Sequence, residues 1–211
     1  MKAIERVFFS NDLITIILFF GFVLLFLMKL YKPQRLFGYT VAFFTQGYIE
    51  KRVEENVSFF SPFYILLFSF SLTIISLTVF IVLTPLLFER NLFVFLLTLA
   101  FVSLFYVVKK IITYCFIVLF EVKEELNYFI HTQNGYLYTV SLLLFPMLIF
   151  HQYFLNSITL LVYIVALLLI FRGFLILVNN KKVIFSHIFY FILYFCTLEL
   201  APLLILYKTI N

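Results

Sequence analysis

Hydrophobic residues in this chain fall into long uninterrupted blocks, with the charged residues gathered between them. Six blocks approach or reach the roughly 20 apolar residues that a helix needs to cross a bilayer. They cover residues 13–31, 62–88, 92–108, 135–155, 157–178 and 183–207. Lys29 closes the first and can snorkel toward headgroups. The second is uncharged throughout and long enough to tilt. Only Glu89, Arg90 and Asn91 separate it from the third, which predicts a tight helical hairpin.

Two of the intervening stretches carry a helical pattern of their own. In 41–57, Phe44, Tyr48, Ile49, Val53 and Val57 recur near helical spacing, opposite Glu50, Lys51, Glu54 and Glu55. From Lys110 onward, Tyr114, Ile117, Glu121 and Glu125 share a face and extend the third helix past the membrane surface. Both patterns predict amphipathic helices at the cytoplasmic interface, as covers for helix ends or as docking surfaces. The expected fold is all-α: a polytopic transmembrane helical bundle of about six membrane-spanning helices plus two interfacial amphipathic helices. Residues 1–211 form a single integral membrane domain on this reading.

Composition agrees with the pattern. The chain is 65% hydrophobic and only 12% charged, whereas about a quarter of the residues in a soluble globular domain are charged. The mean hydropathy is +1.15. A net charge of +5 raises nucleic acid as a partner, but the basic residues sit in short clusters at block ends, which fits the positive-inside rule and not a phosphate-binding stripe. Lys29, Lys32, Arg35, Lys51, Arg52, Lys109, Lys110, Lys123, Arg172, Lys181 and Lys182 fall on one side; Lys2, Arg6, Arg90 and Lys208 fall on the other. That asymmetry predicts both termini outside the cytoplasm. The first block follows a basic start but lacks a small-residue cleavage site, so it is expected to stay as a helix. Cys115 and Cys196 show no metal or disulfide spacing and read as packing residues.

Glu199 is the residue most able to carry chemistry. It lies in the middle of the last apolar block, where an ionised carboxylate is costly and where desolvation raises a carboxyl pKa. Cys196 shares its helical face, and Pro202 leaves the carbonyl of Leu198 without its usual donor. Either Glu199 bonds a neighbouring helix and holds the bundle together, or it relays protons, or it binds a polar group of a partner. Arg172, near the inner end of the fifth block, reads first as a snorkelling side chain. Gly173 joins Thr159, Tyr163 and Ala166 on one face, and Ser69, Thr73, Ser76 and Thr84 form a polar stripe on the second block; both are packing seams in a membrane. His131, His151 and His187 are dispersed between the two sides, so no shared metal or haem is expected. No zinc-protease, phosphate-loop or nucleophile-elbow motif is present, and no cofactor is expected.

The C-terminal run FSHIFYFILYFCTLELAPLLILYK resembles the closing signature of a family of multi-pass inner-membrane proteins of Bacteroidota, of uncharacterised activity. His187, Tyr194, Cys196, Glu199 and Pro202 match its last helix, and the Arg172–Gly173 and Phe145–Pro146 pairs are similar to it as well. The resemblance covers the last two thirds of the chain and implies a bacterial inner membrane. Two functional classes remain. The first is a non-catalytic membrane subunit or assembly factor whose partners are membrane lipids, other membrane proteins or a second copy. The other is a small proton-linked transporter using Glu199; a lipid-directed enzyme has weaker support, since its polar candidates are scattered.

Overall fold

The computed structural model describes residues 12–45, 47–49, 51, 61–87, 91–120, 123–155 and 157–179. Its elements are α1 (Asp12–Tyr31), α2 (Pro33–Val41), α3 (Pro62–Leu87), α4 (Leu92–Phe120), α5 (Lys123–Phe150, running on into a wide π-helical turn, His151–Leu155) and α6 (Ile158–Asn179). Five of these helices are long and apolar enough to cross a membrane. The sixth predicted block, 183–207, lies outside the described residues. The chain is an all-helical polytopic transmembrane bundle.

Its centre is α3. Phe63, Leu67, Phe70, Ile74, Leu77 and Ile81 recur at alternating intervals of four and three and are all buried, which is the spacing of one helix face turned to a core. α1 and α4 pack on it, α5 packs against it, and α6 packs mainly on α5 and also touches α3. In the α3 and α5 windows 56% of residues are buried; in α4 and α6 only 17% are. Two helices therefore form the core, while the outer ones turn rows such as Phe93, Leu97, Phe101 and Leu104, or Tyr163, Leu167, Ile170 and Phe174, away from it. In a bilayer such surface meets lipid at no hydrophobic cost.

The structure departs from the sequence expectation at α2 and at the start of α5. A short helix that the pattern did not predict, α2, begins at Pro33, ahead of the 41–57 stretch, most of whose amphipathic pattern, residues 50 and 52–57, lies outside the described residues. Lys32 leaves helical geometry (φ −151°, ψ 79°) and Pro33 occupies the first turn, where its fixed φ suits a helix start and its missing N–H costs nothing. α4 runs past the apolar block's end at 108 without a break and reaches Phe120, as the pattern from Lys110 onward predicts as far as Tyr114 and Ile117; Glu121 is outside the described residues and Glu125 belongs to α5. α5 begins twelve residues before the predicted block at 135. Its opening turns are polar, so a hydropathy reading leaves them in a loop, yet Thr132 and Gln133 are buried against neighbouring helices.

Pro146 sits inside α5. It removes the donor for the Leu142 carbonyl, and α5 widens into the π-helical turn shortly afterwards, a common way for a helix to absorb a register change.

Candidate functional site

At the end of the bundle where α1 finishes and α3 begins, α2 and the turn after it lie against α5. The turn is tied back by the amides of Phe44 and Thr45, which both donate to the Val41 carbonyl (2.9 and 3.0 Å). Gly47 then takes a left-handed conformation (φ 83°), which an L side chain rarely adopts, and the chain returns so that Tyr48 covers α2. The Tyr48 ring lies where a Cβ on Gly38 would be, and Ile49 comes within 2.7 Å of the Cβ position of Gly135 on α5. Both close approaches need glycine.

Four tyrosines meet here. Tyr39 is central and buried, with Tyr48, Tyr64 and Tyr138 around it edge-on at 5.7, 6.5 and 6.0 Å between ring centroids. This is the favourable geometry for aromatic quadrupoles. The Tyr39 hydroxyl donates to the Tyr64 hydroxyl (3.3 Å), and the Tyr48 hydroxyl donates to the Arg35 carbonyl (3.3 Å). Burial, and then the neighbouring Tyr64 phenol, push the Tyr39 phenol well above the ordinary tyrosine range. It therefore remains a neutral donor. Beside it, Phe43 stacks on Tyr136 (6.2 Å) and meets Phe171 edge-on (5.2 Å), which joins α2 to α5 and α6.

Arg172 is brought into this region. It is 7% exposed, and its Nη2 donates to the Gln133 carbonyl on α5 at 3.3 Å. The side chain is thus turned inward onto a neighbouring helix, which replaces the snorkelling expectation. Glu199, Cys196, Pro202 and His187 lie outside the described residues. His131 and His151 stand at opposite ends of α5 and its π-helical turn. Among the described residues, no group of three or more His, Cys, Asp or Glu side chains is placed to hold a metal.

The two small-residue seams differ. On α3, Thr73 and Ser76 donate to the Ser69 and Leu72 carbonyls one turn back (2.8 and 2.7 Å). The side chain of Thr84 lies outside the described residues. The closest polar contact across α3 falls elsewhere: Ser71 and Ser141 approach to 2.6 Å. Ser141 spends its proton on the Tyr138 carbonyl (2.8 Å), so Ser71 donates to Ser141. On α6, Thr159, Tyr163 and Ala166 are exposed, and no described helix takes up that face. A last tie closes the opposite end of the bundle, where the Tyr153 hydroxyl donates to Thr15 Oγ1 (3.2 Å).

The tyrosine cluster was not predicted from the sequence. Its members span a hundred residues and three elements, so no local spacing announces them. Gly38 and Gly135, small residues at points of close approach, are the only local marks.

Residues 14–210 match the sequence profile of a family described as Domain of unknown function (DUF4271). The match is to a family of uncharacterised activity and takes in the first third of the chain as well. No curated protein and no solved structure matches the chain.

Proposed function

The chain belongs to the DUF4271 family, and from that premise we propose that it is a non-catalytic subunit or assembly factor of an envelope protein complex in the inner membrane of a bacterium, with Bacteroidota as the lineage. It acts through helix packing and interfacial contacts, with both termini periplasmic.

One observation carries the reading. The polar side chains placed in and around the bundle act as ties between helices: Ser71 to Ser141 joins α3 to α5, Tyr39 to Tyr64 joins α2 to α3, Arg172 to Gln133 joins α6 to α5, and Tyr153 to Thr15 joins the π-helical turn to α1. Groups spent in this way fix an architecture and leave the outer helices to offer apolar surface. Such surface associates with other membrane helices by packing and hydrogen bonding, since lipid supplies no hydrophobic drive. The orientation draws on charge. Among the described residues every Lys and Arg (Lys29, Lys32, Arg35, Lys51, Lys109, Lys110, Lys123 and Arg172) belongs to the half of the bundle that holds α2, and Asp12 is the one charged residue at the other end. The positive-inside rule puts that half at the cytoplasm.

The test is photo-crosslinking in intact cells from single positions on the outer rows, with Leu97 on α4 and Leu167 on α6 as probes and Ile74 in the core as control. A complex subunit gives one reproducible protein adduct from α4 or α6, and none to other proteins from the core. Adducts to lipid alone from both outer rows, with a monomer in mild detergent, refute the reading.

A further inference from the structure

The exposed side of α2 is unlike the exposed side of an ordinary surface helix. Tyr39 on α2 and Ala42 and Phe43 in the turn after it are buried against the bundle, while Phe37 on α2 and Phe44 in the turn are 70% and 78% exposed. Two phenylalanines left in water would forfeit the free energy that burial of an aromatic ring gains. They do not stand alone: on α1 the exposed row Phe19, Phe22, Phe26 and Leu30 leads toward them along the chain. That row belongs to a span, so its environment is acyl chain. From Lys29 to Ile49 the chain carries Lys29, Lys32 and Arg35 and no acidic residue, and Lys29 and Lys32 are exposed. Apolar rings on a side turned from the protein, next to exposed lysines at the end of a span, complement a surface that is apolar beneath and negative above.

We propose that α2 and its following turn form an in-plane anchor for anionic lipid, with Phe37 and Phe44 seated among the upper acyl chains and Lys29 and Lys32 at the headgroup phosphates. The anchor explains the placement of the tyrosine cluster. Tyr39 and its partners hold α2 rigidly against α5, so the two rings are presented at a fixed height. Basic side chains at a membrane surface are attracted by anionic lipid, which supplies a headgroup preference in addition to insertion. The inference depends on the bundle lying in a bilayer and is independent of the subunit role.

The chain contains no tryptophan, so each substitution creates a single probe. Phe37→Trp, Phe44→Trp and, as a mid-span control, Phe26→Trp are reconstituted in vesicles of phosphatidylcholine and phosphatidylglycerol, with bromines placed either high or deep on the acyl chains. The expected result is strongest quenching of the Phe37→Trp and Phe44→Trp probes by high bromines and of the Phe26→Trp probe by deep ones. At equal mole fraction, the first two are quenched more when phosphatidylglycerol carries the bromines, and Lys29→Gln with Lys32→Gln removes that excess. Unquenched, red-shifted emission from Phe37→Trp and Phe44→Trp places the face in water and overturns the proposal. Unquenched, blue-shifted emission means that protein covers it, a partner or a second copy, and overturns it too. Equal quenching by either lipid removes the anionic preference and with it the proposal. Failure of the Phe26→Trp probe to quench refutes the bilayer placement on which the anchor depends.

Discussion

Replacing Gly38 by alanine tests the packing of the α2 platform, and the sign of its effect is set by one neighbour. A methyl group at 38 would overlap the ring of Tyr48, so that ring must leave. It then gives up its hydrogen bond to the Arg35 carbonyl, worth about 1 kcal/mol. Its edge-on contact with Tyr39 is worth about another 1 kcal/mol. Part of its burial is lost as well, at a similar cost of about 1 kcal/mol. Against this, alanine in a helix gains about 1 kcal/mol over glycine. Gly38→Ala should therefore destabilise the protein by about 2 kcal/mol, on the same bookkeeping. In a Tyr48→Ala background the obstacle is gone, and the same Gly38→Ala change should stabilise by up to about 1 kcal/mol, from helix propensity alone. The assay is thermal exposure of Cys115 and Cys196 to a thiol-reactive fluorophore in detergent, since both lie in apolar stretches of the sequence. Hydrogen exchange over 39–49 reports whether α2 has loosened locally. An equal fall in the unfolding midpoint in both backgrounds would show that Tyr48 is not what Gly38 accommodates.

Two further outcomes follow from the same region. Arg172→Lys keeps the charge but loses the planar guanidinium that reaches the Gln133 carbonyl, so it should cost about 1–2 kcal/mol; an unchanged midpoint would restore the snorkelling view of this residue. The Tyr39 phenol, held above the ordinary tyrosine value chiefly by burial, binds its proton more tightly in the folded chain than in the unfolded one. Its stabilising contribution is whole below the unfolded value of about 10 and is lost as pH rises from there toward the folded value. The ultraviolet difference titration between the wild type and Tyr39→Phe should show no phenol ionising near pH 10 in the folded protein, and a normal phenol appearing there would refute the buried assignment.

Block length made the long helices legible because a bilayer demands it: a run such as 62–87, without a charge, has few other folds open to it. The same reasoning fails wherever polar residues are buried by protein and not by lipid. Thr132 and Gln133 look like loop to a hydropathy reading, but they continue α5 inside the bundle because α2 and α6 cover them and give Gln133 a guanidinium to bond. Arg172 departs from its sequence expectation for the related reason that a lone arginine near a helix end has two ways to avoid acyl chain, outward to headgroups or inward to a carbonyl. Only the neighbouring helix decides between them. α2 and its turn eluded the pattern because their signal is split: Tyr39, Ala42 and Phe43 are buried, while Phe37 and Phe44 are as apolar and exposed.

That split bears on how the site works. If α2 were only a lid on α5, polar residues at 37 and 44 would serve it better, since the tyrosine cluster already holds its inner face. If it were only a lipid anchor, a loose amphipathic helix would do, and the glycines at 38 and 135 that admit Tyr48 and Ile49 would be unnecessary. Having both, a helix fixed to the bundle on one side and apolar on the other, makes the position of the bundle and the position of the leaflet surface depend on each other. Gly38→Ala, which frees α2 without touching its outer face, should therefore weaken the lipid preference of the Phe44→Trp probe as well as stability. The two properties separating in that variant would mean that the inner and outer faces of α2 act independently.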